Sequence, residues 1–245
     1  MKKQILAAVL GATLCAGAMA APLNVGTEAT FAPFEFMDEE KREITGFDID
    51  MIKAIAKAAG HEVKIQNMGF DGLIPSLQTN VIDAVAAAMT ITPARQKAVQ
   101  FTEPYYQSGL VVLIKKKDDG KIKEVASLEG KRICAQIGTT GAMMAKRIKD
   151  SKVTLFNSIT EAFMDLKSGG CDAVLNDKPV VEFYLARRGD DSVKILPQVL
   201  EAEYYGFAVN KRNKVLAEKL NKGLQTIKAN GEYDKIYQKW FGAAK

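Results

Sequence analysis

Four short stretches of this 245-residue chain carry side chains that could do chemistry. Thr90-Ile91-Thr92-Pro93-Ala94-Arg95 follows an apolar run and opens a helix. Free backbone N–H groups at such a turn suit an anion, and Arg95 adds a planar fork that can hold a carboxylate through two hydrogen bonds. Taken alone, an N-capping Thr92 with a surface arginine is the favoured reading of these residues. Gln136-Ile137-Gly138-Thr139-Thr140-Gly141 repeats the arrangement later in the chain, again with N–H and hydroxyl donors at a strand-to-helix turn. It lacks the Gly-Lys-Ser/Thr ending of a phosphate loop. Asn176-Asp177 closes another apolar run. A carboxylate there can receive an ammonium group, or cap the helix that Pro179 opens. Glu28, Phe31, Phe34 and Phe36 cluster early, and Phe70 comes later. One or two of these rings can sandwich an aliphatic stem, while Phe34 and Phe36 are expected in the core. A cation, one or two carboxylates, hydroxyls and aromatic walls complement a zwitterion with a polar tail. The chemistry points to a free amino acid.

These stretches are far apart in sequence, so the fold must bring them together. Strand-like runs at Leu23–Thr27, Val63–Asn67, Val81–Met89 and Leu110–Lys115 alternate with helical patterns at Phe47–Ala59 and Leu73–Thr79, the latter with Pro75 in its first turn. The grammar then restarts. Strands are expected at Arg132–Gln136, Val153–Phe156, Cys171–Leu175 and Tyr205–Val209. Helices are expected at Gly138–Asp150, Thr160–Ser168, Pro179–Arg187, Lys214–Asn230 and Tyr233–Trp240. Alternation of this kind implies α/β architecture with mostly parallel sheets flanked by helices, here in two lobes. Ligands of such sheets sit beyond the carboxyl ends of the strands. That rule selects Glu28–Phe31, Met89–Thr92, Gln136–Gly141 and Asn176–Asp177, which meet if both lobes face one cleft.

Residues 1–20 read as a secretory signal peptide: Lys2 and Lys3, an apolar Ile5–Leu14, and Ala18-Met19-Ala20 as the cleavage pattern. Cys15 raises the option of a lipid anchor, but Leu14 before it is not the small residue such sites favour, so a freely soluble secreted protein is expected. The formal charge is +5, and +3 without Lys2 and Lys3, too mild to argue for nucleic acid. Cys134 and Cys171 remain after cleavage. A disulfide is permitted in an oxidising compartment, but both lie in apolar runs where a free buried thiol is the favoured reading. With His61 the one histidine and no Cys-x-x-Cys, neither a metal site nor a histidine-based catalytic triad is expected.

The stretches VGTEATFAPFEF, GFDIDMIKAIAKAAG, FDGLIPSLQT, IDAVAAAMTITPARQKAVQFTEPYYQSG, QIGTTG, CDAVLND and GEYDKIYQKWFG together resemble the periplasmic polar amino-acid-binding proteins of bacterial ABC importers, the glutamine/arginine/lysine-binding group. The resemblance spans nearly all of the chain after Ala20. It implies a two-lobed periplasmic binding protein fold (type II). Lobe 1 would be 22–106 plus 206–245 and lobe 2 would be 110–202, with hinges near 105–109 and 203–205. It implies a clamp by Arg95 on the ligand's α-carboxylate, assisted by Thr90 and the backbone at Thr139 and Thr140. Asp177, helped by the carbonyl of Ala88, would hold the α-ammonium. Phe31 and Phe70 would face the stem, and Glu28 and Gln136 would lie toward the tail. Asn176 falls at a variable contact position. The family often has glycine where Ala88 stands, so the pocket is expected to be slightly tighter there.

The resemblance further implies capture by hinge closure, delivery to a membrane permease, a periplasmic location, a monomer and no cofactor. A buried Glu28 without a cation costs several kcal/mol. Some glutamine binders of the group carry a lysine where this chain has Gln136, so arginine or lysine is favoured over glutamine. Two other readings stand beside this one. A dehydratase-like enzyme on the same fold could use Glu28 or Asp177 as general acid. A ligand-sensing partner of a membrane receptor would be a free protein of this kind, since the chain ends at Lys245 without a membrane segment.

Overall fold

The structure, a computed structural model, describes residues 21–188 and 191–242; the expected signal peptide lies outside them. The chain opens with β1 (Leu23–Thr27) and a small antiparallel sheet of β2 (Thr30–Phe31), β3 (Glu35–Asp38) and β4 (Glu43–Thr45). Next come α1 (Phe47–Ala58), β5 (Val63–Asn67), α2 (Phe70–Gln78), β6 (Ala84–Val85), α3 (Pro93–Ala98) and β7 (Val99–Phe101). The long strand β8 (Tyr106–Lys115) then carries the chain into the second lobe. There β9 (Arg132–Gln136), α4 (Thr140–Arg147), β10 (Lys152–Phe156), α5 (Ile159–Ser168), β11 (Ala173–Asp177), α6 (Lys178–Arg188) and β12 (Val193–Ile195) follow. Strand β13 (Ala202–Tyr205) returns to β14 (Ala208–Asn210), α7 (Lys214–Ala229) and α8 (Glu232–Phe241).

Two main sheets result. In the first, β5-β1-β6 are parallel, and β14 and β7 extend the sheet antiparallel. In the second, β10-β9-β11 are parallel, and β8 and β12 are antiparallel additions. The strands that run against the parallel set, β14 and β8, are those at the crossings between lobes. Strands β8 and β13 pair over Tyr106–Gly109 and Ala202–Tyr205 to form the link.

Local sequence explains the helices that frame the cleft. Helix α1 carries Asp48 and Asp50 in its first turn, favourable at a helix N-terminus, and buries Ile49, Met51, Ile52 and Ile55. Ser158 and Glu161 form a reciprocal capping box on α5, and Gly169 closes that helix in the left-handed conformation.

Several elements depart from the expectations. Helix α2 begins at Phe70, so Pro75 lies inside it; its ring nitrogen cannot donate to the carbonyl of Asp71, but one missing bond does not end a helix whose Leu73 and Leu77 are fully buried. The apolar run Val81–Met89 pairs as a strand only at Ala84–Val85, because Ala88 turns to φ 43° and leaves the ladder. The expected strand Tyr205–Val209 breaks at Gly206-Phe207, where the chain passes from the hinge into the first sheet. Phe34 is core, but Phe36 is half-buried, packing on Trp240 at 5.8 Å and on Phe183 of the second lobe at 6.3 Å. Cys134 and Cys171 are joined as a disulfide, against the favoured free thiols. Cys171 lies in the turn just before β11 and Cys134 in β9, with their Cα atoms 6.0 Å apart, a neighbourhood that sequence spacing does not show.

Helices α1 and α7 pack closely at Gly223, where an added Cβ would stand 3.1 Å from Ile55 Cγ2 and nearer still to the Ile55 carbonyl oxygen. Gly223→Ala is expected to lower stability by about 1–3 kcal/mol through overpacking, although alanine is the better helix former. Urea unfolding checks this; an unchanged or raised midpoint contradicts it.

Candidate functional site

A small cavity lies between the lobes at the carboxyl ends of the strands. Ten of the eleven residues expected at the site line it: Glu28, Phe31, Phe70, Ala88, Thr90, Arg95, Gln136, Thr139, Thr140 and Asp177. Asn176 does not. It precedes Asp177 in β11, and successive side chains of a strand point to opposite faces, so Asn176 is buried on the other side. Glu35 and Ala87 line the cavity without having been expected there. The register of the β2–β3 hairpin sets Glu35 directly opposite Phe31, and residues so paired share a face.

Arg95 projects from the short helix α3, started by Thr92, whose hydroxyl accepts from the Arg95 amide at 3.2 Å. Its guanidinium is buried, lies 5.3 Å from the centre of the Phe70 ring, and donates to the carbonyl oxygens of Thr90 (2.7 Å) and Gly138 (3.0 Å). Five N–H donors leave capacity for an anion beyond these two bonds. Burial lowers the Arg95 pKa to about 10, against the pull of Glu203 and Asp177, so the group stays cationic at neutral pH. Thr139 caps α4: its hydroxyl accepts from Ala142 N at 3.2 Å and donates to the Gln136 carbonyl at 2.7 Å. That hydroxyl is committed locally and the Thr139 amide donates to the Gln136 carbonyl at 3.4 Å, while the first turn of α4, whose leading amides lack intrahelical partners, borders the cavity at Thr139 and Thr140.

The rest of the cavity is acidic. Glu28 accepts from Gln136 Nε2 at 2.9 Å across the cleft and from Thr30 Oγ1 at 2.9 Å. Burial raises its pKa, and those hydrogen bonds oppose the rise. Glu35 is fully buried, its Oε2 has no hydrogen-bond partner, and burial followed by the nearby carboxylates Asp48, Glu28 and Asp177 pushes its pKa well up. Asp177 is raised strongly by burial and then by Glu203, partly offset by a short hydrogen bond from the Tyr205 hydroxyl. Among the described residues that line the cavity, Arg95 is the one cation and Glu28, Glu35 and Asp177 are carboxylates. An isolated buried carboxylate costs several kcal/mol, so this site favours positive charge.

Asp48 supports the site from behind. Its Oδ2 accepts from the Ala88 amide at 2.7 Å and from the Tyr105 hydroxyl at 2.5 Å. The first bond holds Ala88 in its left-handed conformation, and the second reaches the start of the hinge. The lobes are closed on the cavity: Arg95 to Gly138 and Gln136 to Glu28 both bridge the cleft.

A two-lobed α/β fold closed over a small polar cavity is the architecture of a solute-binding protein. The chain belongs to the bacterial extracellular solute-binding proteins, family 3, whose sequence profile matches residues 23–243. It is 41% identical to the ABC transporter arginine-binding protein 1 of Escherichia coli (strain K12) over 249 residues, covering 98% of this chain and 99% of that protein. An ancestral arginine-binding protein bound to arginine has a similar structure, with a TM-score of 0.87 and 46% identity over 91% of this chain and 100% of that one. The ancestral arginine-binding protein bound to glutamine matches with a TM-score of 0.84 and 46% identity over 91% of this chain and 99% of that one. These relatives are binding proteins.

Burial raises the Asp48 pKa from 3.8 to about 7 in the folded protein, so the folded state keeps this proton where the unfolded chain has lost it. The stabilisation is complete below about pH 4 and is lost as pH rises through about 7. Asp48→Asn should remove that slope. Between about pH 4 and 7 the wild type is expected to lose up to about 4 kcal/mol relative to the variant in denaturant unfolding. Parallel stability curves for the two proteins contradict the assignment.

Proposed function

We propose that this protein captures a polar L-amino acid with a cationic tail, arginine or lysine, and delivers it to the membrane permease of an ABC importer. The observation that carries this reading is the charge balance of the closed cavity, where three carboxylates surround one arginine. The α-carboxylate would sit on Arg95, Thr90 and the amides at Thr139 and Thr140. The α-ammonium would sit on Asp177 and the Ala88 carbonyl. The aliphatic stem would lie between Phe31 and Phe70, and the cationic tail would reach Glu28 and Glu35, with Gln136 beside it. The names of the relatives support arginine; the structure bound to glutamine supports glutamine as the second reading, with Glu28 then acting as hydrogen-bond acceptor.

The lobes would be 22–106 plus 206–245 and 110–202, closing about 105–109 and 203–205. Closure over the ligand would bring the desolvated carboxylate and ammonium pairs together, and moving the equilibrium from 1:99 to 99:1 needs about 5.5 kcal/mol of preference for the closed state. The protein would act in the periplasm as a monomer, and as a carrier rather than a dehydratase: bound amino acid should be recovered unchanged after denaturation.

Arg95→Ala is expected to abolish binding of every α-amino acid in calorimetric titration; micromolar affinity retained in that variant contradicts the clamp. Glu28→Gln and Glu35→Gln are each expected to weaken arginine by about 10- to 100-fold, or roughly 1.4–2.7 kcal/mol. Unchanged arginine affinity in both variants would mean that the tail is not held there.

A further inference from the structure

The hinge places a second carboxylate behind the proposed ammonium site. Strand β8 pairs with β11 on one edge and with β13 on the other. The register sets Asp177 opposite Leu110 and Glu203 opposite Ser108. Residues two apart on a strand share a face, so Asp177, Ser108 and Glu203 emerge on the same side of the hinge sheet. There the Glu203 carboxylate lies near enough to Asp177 to help push its pKa up. Both are buried, 5% and 4% exposed.

The partners of this pair are neutral. Asp177 accepts from the Tyr205 hydroxyl and from Ser108 Oγ at 3.4 Å. Glu203 accepts from Thr90 Oγ1 at 3.1 Å. Arg95 is the cation that faces the pair, but its two terminal nitrogens donate to the carbonyls of Thr90 and Gly138. Glu35 from β3 is a further carboxyl group on that side, its own pKa pushed well up by burial, and Tyr106 from β8 is neutral. Lys178, next to Asp177 in sequence, turns away to Glu182 at 2.6 Å. Two neighbouring buried carboxylates whose hydrogen-bond partners are neutral disfavour ionising together, and a pair of this kind can hold one proton between them.

We propose that Glu203 is a positioning residue that shares one proton with Asp177 in the empty site, and that arrival of an amino acid's α-ammonium group expels this proton to solvent. The step rests on the ammonium assignment made under the proposed function. One carboxyl O–H bond is broken, its proton leaves to water, and the ligand's positive charge takes its place beside two ionised carboxylates. No other covalent bond changes. The exchange also selects for ligands: a carboxylate that lacks an ammonium group cannot displace the proton. Below the apparent pKa of the pair, affinity should rise about tenfold per unit of pH.

The test is calorimetric titration of arginine at about pH 6 in phosphate and in imidazole, whose different ionisation heats report the protons released on binding. Glu203→Gln is expected to release about one proton fewer per arginine than the wild type and to show a flatter rise of affinity with pH. Glu28 and Glu35 are present in both proteins, so their own proton changes cancel in the comparison. Glu203→Asp, which keeps a carboxyl group, should restore the release. Equal proton counts in wild type and Glu203→Gln overturn the shared proton. Arginine binding to the wild type without proton release overturns it by itself, whether or not the variant folds. If the wild type binds no amino acid at all, the amino-acid reading fails and the shared proton with it.

Discussion

Burial of acidic groups between the two lobes is the constraint on which the rest of the structure depends. Glu28, Glu35, Asp177 and Glu203 are all buried about the cleft, and Arg95 is the cation among them. Each ionised carboxylate left unpaired there costs several kcal/mol. Closing the cleft without a ligand must therefore be met by protonation or by the hydrogen bonds that bridge it. A ligand that brings two positive groups and one negative group relieves the imbalance at each end of the cavity. The same feature gives affinity, selectivity and a reason for closure, because the closed form is where those charges lose water.

The fold sets this arrangement through a few register choices. Strand β8 runs from the hinge into the middle of the second sheet, so one strand positions both Asp177 and Glu203. Thr90 makes an isolated bridge to Tyr205, which ties the loop carrying the anion site to the hinge. Asp48 links that loop to Tyr105, where the hinge begins. Around these, Phe34, Phe47, Tyr106, Tyr205 and Phe241 form a cluster with ring centres 4.9–5.8 Å apart for several pairs. The cluster fastens the C-terminal helix to the hinge and the first lobe, so the last segment of the chain stiffens the base of the site. Buried aromatic pairs of this kind contribute about 0.5–1.5 kcal/mol each beyond their area.

Much of this was legible in the sequence. The strand-to-helix turns at Thr90–Arg95 and Gln136–Gly141 could be placed because polar donors follow apolar runs, and strand ends in α/β sheets face ligands. Their meeting depended on two lobes facing one cleft, which periodicity alone suggests only loosely. The misses have physical reasons. Glu35 was hidden because it sits between Phe34 and Phe36, and only the pairing of β3 with β2 turns it toward Phe31 and the cavity. Asn176 adjoins Asp177 in sequence, but a one-residue step in a strand reverses the face. Glu203 lies in a short stretch whose role comes from being paired across β8, a partner far away in sequence. The left-handed turn at Ala88 cut short an apolar run that otherwise reads as a long strand. The disulfide depends on the turn before β11 lying beside β9, which sequence spacing does not show.

The most direct measurement compares arginine with citrulline, its neutral isostere, by calorimetric titration of protein freed of bound ligand by unfolding and refolding. The two ligands share the α-amino acid head and nearly the same length, and they differ in the charge of the tail. If the buried carboxylates at the far end of the cavity demand a cation, arginine should bind about 100-fold tighter or more, roughly 2.7 kcal/mol. Equal affinity for citrulline, or tighter binding of glutamine than of arginine, would contradict the account and make Glu28 and Glu35 protonated hydrogen-bonding groups instead.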